Sequence, residues 1–281
     1  MSNLKKNSST ILAIDAAWTG LQPSGVALVQ SDGSVWRCLA IAPSYRSFIA
    51  LARGIRVDWN QTVFHGDVPA PEALLKAAQD LANSNIDLVA VDMPLSRLPI
   101  DRRRQADNVI STEFGGRWCS AHTPNANRPG QIGIDLMNGF FNNGFILTTE
   151  PNEDLYQSRL IEVYPHPALL SLMHVNQRIP YKVSKSARYW PGTNVNSRIQ
   201  NIVTQFNSIH DALSAEFGLL HMQIPNPINV HTLAFLKRFE DVLDALICAW
   251  VGKEFLAGNT VPLGDENAAI WCPSDVVFGN Q

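Results

Sequence analysis

Phe239-Glu240-Asp241-Val242-Leu243-Asp244-Ala245-Leu246-Ile247-Cys248-Ala249-Trp250-Val251 contains no Gly or Pro, and the first breaker after it is Gly252. The spacing predicts a helix. At 3.6 residues per turn, Val242, Leu243, Leu246, Ile247, Ala249, Trp250 and Val251 cover most of its circumference, which marks a buried helix. Asp241 and Asp244 interrupt that pattern. They stand at i and i+3 and share a face. Their neighbours there, Ala245 and Cys248, are small enough to let another element come close. Two bare carboxylates about 4 Å apart repel by roughly 4 kcal/mol at an effective dielectric of ~20, and burial adds to the cost. A cation, an Arg or Lys partner, or protonation must compensate. Lys237 or Arg238, or the positive end of the helix dipole, is one answer. A metal ion is the other, and it requires acids from elsewhere in the chain.

Working outward, the chain opens on Thr10-Ile11-Leu12-Ala13-Ile14-Asp15, a continuous apolar run that reads as a strand buried on both faces. Ser24–Gln30 and Val35–Ile41 follow, joined by the turn signal Ser31-Asp32-Gly33-Ser34. These three form an antiparallel meander. Ser44–Gly54 and Pro71–Asn83 read as helices and lead to a second buried strand, Ile86–Asp92, stopped by Met93-Pro94. A helical crossover of this kind joins parallel strands.

The pattern is less regular from Leu95 to Glu150. It holds a helix near Arg103–Phe114, a Pro/Asn/Gly-rich loop over Thr123–Gly133, a short helix, and a strand at Phe145–Thr149. A further strand, Leu160–Tyr164, is read as stopped by Pro165-His166-Pro167, with a helix over Ala168–His174. Arg178–Arg198 is irregular, Ile199–Phe217 is helical, and Asn267–Cys272 is a last strand or an extended tail. The expected fold is α/β: one domain over residues 1–281, with a mixed sheet flanked by helices. Residues 95–150 and 175–200 are expected as insertions around a site.

Asp15 and Asp92 each end an apolar strand, and Glu162 lies near the end of a third. In open α/β sheets, ligands bind outside the carboxyl ends of the strands. Any one of these acids alone reads as a cap or turn residue. Taken with Asp241 and Asp244 they form an oxygen-donor set suited to Mg²⁺ or Mn²⁺. His166, between two prolines, reads as a loop residue.

Composition narrows the class. The chain has 281 residues, is 46% hydrophobic and carries a formal charge of −3. That suffices for a sizeable core and supplies no global basic field. Cys38, Cys119, Cys248 and Cys272 are far apart, with no C-x-x-C pair, as expected of reduced thiols in a cytoplasmic protein. Met1–Thr10 is polar and precedes no apolar signal region, and no apolar run reaches membrane-spanning length. No membrane partner is expected.

Between Val163 and His210 there is no Asp or Glu. That stretch carries Arg178, Lys182, Lys185, Arg188 and Arg198, interleaved with Tyr181, Tyr189 and Trp190. Cations for phosphates and rings for bases suit a single-stranded nucleic acid groove, and a solvated basic loop is the plain alternative. A second basic group comprises Arg97, Arg102–Arg104, Arg117 and Arg128. Arg104 and Asp107, at i and i+3, also read as a surface ion pair.

Several motifs in order resemble a known family: Ile14-Asp15 with Ser24-Gly25-Val26-Ala27, Val91-Asp92-Met93-Pro94-Leu95, Arg104 with Asp107, Glu162-Val163-Tyr164-Pro165, and Glu240-Asp241-Val242-Leu243-Asp244-Ala245. The set is similar to the predicted RNase H-like nuclease family catalogued as domain of unknown function number 429. The D-x-x-D-A on the last helix looks most like the RuvC-type branch of the RNase H-like superfamily. The resemblance implies an RNase H-like fold with a mixed five-stranded sheet, and a nuclease that hydrolyses phosphodiester bonds by a two-metal mechanism. It implies Asp15 as the bridging acid, Asp92 as the fourth-strand acid and Asp241 with Asp244 as the final-helix pair. Glu162 would be a further ligand on the E-V-Y-P strand. Arg104, Lys182, Lys185 and Arg188 would bind substrate.

Actin-like ATPases and sugar kinases share this core and also use Mg²⁺, but they need Gly-rich phosphate turns, and Ala16-Ala17-Trp18-Thr19-Gly20 is poor in Gly. A non-catalytic nucleic-acid-binding protein is the third reading. No G-x-S-x-G elbow points to acyl transfer.

Overall fold

The computed structural model describes residues 8–151 and 157–278. Most of the polar N-terminal stretch, Met1–Asn7, lies outside the described residues. In chain order the elements are β1 (Ser9–Asp15), β2 (Gly25–Ser31), β3 (Trp36–Ala42), α1 (Tyr45–Leu51), α2 (Pro71–Ala82) and β4 (Leu88–Asp92). Then come α3 (Gln105–Phe114), α4 (Gln131–Asn142), β5 (Phe145–Leu147), β6 (Ser158–Val163), α5 (Pro165–Leu172) and α6 (Ser186–Tyr189). The chain continues through α7 (Val195–Phe217), α8 (Leu233–Ala257), β7 (Thr260–Gly264), β8 (Ala269–Pro273) and α9 (Ser274–Phe278).

The sheet is mixed and has 8 strands among the described residues, in the order β3-β2-β1-β4-β6-β8-β7, with β5 also on β6. The expected meander is present as β1, β2 and β3, and β4 runs parallel to β1. The expectation of five strands is too small. β5 and β8 share one side of β6, at opposite ends: Leu147 pairs with Leu160, and Glu162 with Ile270. β7 pairs antiparallel with β8 at the edge. Its Pro262 hid it from a propensity reading, yet an edge strand tolerates proline. The prolines read as stopping β6 instead begin α5, where Pro165 takes the first helical position and loses no hydrogen bond.

Alternation along β1 divides the core. Leu12 and Ile14 pack with residues of α1, α2 and α4, including Phe48, Leu74 and Phe140. Ile11 and Ala13 pack on the other face with residues of α7 and α8. Both faces are covered, so the strand is apolar throughout.

The acidic helix α8 runs well beyond Phe239–Val251 at both ends. Thr232 caps it by accepting from the Phe235 N–H, and Gly258, at φ 79°, ends it in the left-handed conformation. Gly252 sets how closely α8 lies on the sheet. A Cβ there would stand 3.1 Å from side-chain carbons of both Ile11 and Leu88. All four cysteines are buried and free. Among the described residues no helix is long and apolar enough to cross a membrane.

Candidate active site

β1 and β4 are parallel and in register at their ends, so Asp15 pairs with Asp92. Neighbouring strands lie about 4.8 Å apart, which makes the two carboxylates neighbours at the carboxyl edge of the sheet. Among the described residues, no hydrogen bond or ion pair within 4.0 Å closes on either carboxylate.

On the other side of β1, Asp15 pairs with Gly25. A Cβ on Gly25 would stand 2.0 Å from the Asp241 carbonyl oxygen. The absence of that Cβ lets α8 cross the strand ends with its acids beside Asp15. Gly25→Ala should therefore lower unfolding stability by about 1–3 kcal/mol, read by urea denaturation. An unchanged midpoint would show that the helix does not depend on this contact.

Asp241 and Asp244 are buried, as is Glu240 between Phe239 and Asp241. Three successive residues of the basic stretch dock on this face. The Tyr181 hydroxyl donates to Asp244 Oδ1 at 2.5 Å, and the Lys182 ammonium pairs with Asp244 Oδ2. The Val183 N–H donates to Glu240 Oε2 at 2.6 Å. Lys237 bridges Glu240, at 2.9 Å, and Asp241. Arg238 turns away to donate to the carbonyls of Trp59, Gln61 and Thr62. The local partner of the acidic pair is thus Lys237.

Five carboxylates, Asp15, Asp92, Glu240, Asp241 and Asp244, face two ammoniums. The electrostatics follow from that imbalance. Burial lifts Asp15 well above the usual carboxylate range, and the charges of Asp244 and Asp241 lift it further. Burial pushes Asp92 up to about 7 against the pull of Lys182. It raises Asp241 to about 6 against Lys237, and raises Asp244 despite Lys182. Glu240 is the exception: burial opposes its charge, but Lys237 and Lys182 together hold it below its ordinary value. Burial likewise opposes the charge on Lys182, yet Asp244 and Glu240 keep it firmly protonated.

Glu162 and Arg104 depart from their expected roles. Arg104 is buried rather than on the surface, and its guanidinium lies between two acids. It donates to Asp107 through Nη2 at 2.7 Å and Nε at 3.1 Å, and to Glu162 through Nη1 at 2.6 Å and Nη2 at 2.7 Å. Glu162 Oε2 also accepts from the Leu95 N–H at 2.7 Å. Both oxygens of Glu162 are engaged, and the fork of Arg104 is spent on carboxylates instead of facing a phosphate.

Asp15, Asp92, Glu162, Glu240 and Asp241 border a cleft of about 570 Å³, whereas the fully buried Asp244 is not part of its lining. Arg104, Lys182 and Lys185 line it, whereas Arg188 is exposed and outside the lining. His122, Arg128 and Arg178 join from segments on either side, and Trp18 comes from the loop after β1. The Arg128 guanidinium lies 5.6 Å from the centre of the Trp18 ring. His166, expected in a loop, is buried in the first turn of α5 and also borders the cleft.

Sequence reasoning missed Glu240 and His122, and placed Tyr181 and Arg178 in the basic stretch without joining them to the acids. The i, i+4 pairs Lys237–Asp241 and Glu240–Asp244 held a signal for Glu240. His122 and Arg178 reach the cleft, and Tyr181 reaches Asp244, by tertiary folding alone.

The donor chemistry suits a hard divalent cation: Asp15 and Asp92 offer unshared carboxylate oxygens. As arranged, however, no group of three His, Cys, Asp or Glu among the described residues is placed to hold a metal ion. Lys182 and Lys237 occupy the acids that would complete one. No curated protein and no solved structure matches the chain. A family model described as "Protein of unknown function (DUF429)" matches residues 144–269, a segment that includes Glu162, Lys182, Lys237, Asp241 and Asp244 but neither Asp15 nor Asp92.

Proposed function

We propose that the protein is a metal-dependent nuclease, hydrolysing phosphodiester bonds with Asp15, Asp92, Asp241 and Asp244 as its acids. One observation carries the reading. Two unpaired carboxylates stand side by side at the sheet edge, beneath a helix bearing two more, in a cleft whose rim is cationic. The meander followed by parallel strands is the order that an RNase H-like arrangement requires. Mg²⁺ or Mn²⁺ would be held by Asp15 and Asp92, joined by Asp244 and Asp241 once Lys182 and Lys237 release them.

Ions held there would supply an activated water and stabilise the leaving oxygen. The chain's own residues do the rest. Lys182, drawn off Asp244, meets the incoming phosphate, while Tyr181 keeps Asp244 oriented. The Trp18 ring offers a base a stacking surface. Glu162 acts through Arg104 to hold the strand end and α3 together.

A second reading is favoured by the two lysines. Because they already partner Asp244, Asp241 and Glu240, the protein would bind nucleic acid without cutting it. Calorimetric titration with Mn²⁺ and Mg²⁺, with and without a short oligonucleotide, separates the two. Under the nuclease reading the parent binds metal, Asp15→Asn binds at least about tenfold more weakly, and Lys182→Gln, freed of its competitor, binds about tenfold more tightly (about 1.4 kcal/mol). Cleavage of labelled single-stranded DNA, RNA and duplex follows the metal. No metal binding and no cleavage in any arm would establish the binding-protein reading.

A further inference from the structure

The cleft is bipolar. Acids of α8 and of the ends of β1 and β4 line it together with the cations Arg178 and Lys185 and with His122. Among the described residues, no carboxylate lies within ion-pair distance of Arg178 or Lys185. Nε and Nη2 of Arg178 are buried and make no hydrogen bond. The Tyr189 hydroxyl is near enough to feel that charge but is itself without a bond of good geometry.

His166 is 5% exposed, and its Nδ1 is buried without a partner. Its ring is fixed edge-to-face between Tyr164, at 5.2 Å, and Tyr181, at 5.6 Å. Burial, then the charges of Arg178, Lys182, Lys185 and His122, hold His166 neutral. Lys185 is likewise depressed, by partial burial and by Arg178, Arg188 and Lys182. Cations gathered without an ion-pair partner, around buried donors without acceptors, cost folding stability. An anionic ligand removes that cost.

We propose that Arg178, Lys185, His122 and His166 form a subsite for a phosphate monoester, the dianionic end of a nucleotide or of a short single strand. An arginine fork and histidine N–H match phosphate oxygens. Size and depth point to an end rather than a passing backbone. A cleft of about 570 Å³ is on the scale of a small-ligand pocket and too small for a duplex. Donors sealed from water at its wall receive a group that stops there. The proposal deepens the nuclease reading by naming its substrate class, and it rests on that reading for the reaction but not for binding.

Calorimetry on the full chain, in chelator and without metal, tests it. The ligands are inorganic phosphate, thymidine 5′-monophosphate, and a four-residue oligothymidylate with a 5′-phosphate, a 3′-phosphate or only hydroxyl ends. A blunt hairpin duplex completes the set. The phosphorylated ligands should bind at least tenfold more tightly than the hydroxyl-ended strand, and the duplex more weakly still. A preference for the mononucleotide over the strands would identify a free nucleotide as the ligand, and the reverse a strand terminus. Arg178→Gln should weaken phosphate binding at least tenfold, Arg178→Lys should restore part of it, and Lys76→Gln, on a remote exposed pair, should leave it unchanged. If Arg178→Gln fails to fold, Lys185→Gln decides in its place. Equal affinity for phosphate and hydroxyl ends, or binding indifferent to these substitutions, would overturn the subsite. Phosphate selectivity without metal binding would instead overturn the nuclease reading and leave the subsite standing.

Discussion

Arg104→Met is expected to lower the free energy of unfolding by about 3–5 kcal/mol, as removing one partner from a buried ion-pair cluster does. Methionine keeps much of the apolar stem but leaves Asp107 and Glu162, both nearly inaccessible, without their cation. Glu162 is the more exposed to this loss. Burial already raises it above the ordinary carboxylate value even with Arg104 in contact. Arg104→Lys should recover little, because a point charge cannot replace a fork that makes two hydrogen bonds to each acid. Adding Glu162→Gln and Asp107→Asn to Arg104→Met should recover most of it. Urea unfolding at pH 7 measures all three variants. A loss below about 1 kcal/mol would mean that water screens the cluster as it does a surface pair.

Local patterns carried much of this fold into the sequence, and long-range geometry carried the rest. β1 and β4 announced themselves because both of their faces are buried, which removes the polar alternation that blurs a strand. The acidic stretch announced α8 because carboxylates are costly in an apolar helix. β7 did not, since its edge position permits a proline that a propensity reading takes as a break. The prolines flanking His166 misled for a related reason: a residue that ends a strand equally begins a helix. Site residues follow the same division. Asp15, Asp92, Asp241 and Asp244 are legible because each interrupts an apolar run. Arg104 looked like a surface pair because nothing near it in sequence reveals Glu162, 58 residues away. Lys182 looked like a substrate cation because only the docking of residues 181–183 onto α8 shows that Asp244 already holds it.

The imbalance of acids over lysines means that Asp92, at the sheet edge, weakens the metal-free fold. Asp92→Asn should stabilise the metal-free protein by about 1–3 kcal/mol at pH 8. In the folded chain Asp92 titrates at about 7, against ~3.9 in an unfolded one. Between those values the folded state holds a proton that the unfolded state has released, so stability falls as pH rises through the window. Below about pH 4 both states are protonated and the penalty is absent. Above about 7 it is complete, capped near 4 kcal/mol by the separation of the two values. Asparagine removes the charge, so its advantage should nearly vanish at pH 4 and reach its full size at pH 8. Adding Mn²⁺ should reverse the order at pH 8. A ligand that binds only the folded state stabilises the parent by mass action, and the variant, lacking an anionic donor, gains less. Urea unfolding at both pH values, with and without Mn²⁺, reads all four conditions. A variant less stable than the parent at pH 8 without metal would show that Lys182 already neutralises Asp92, and that the acids at the sheet edge need no further cation.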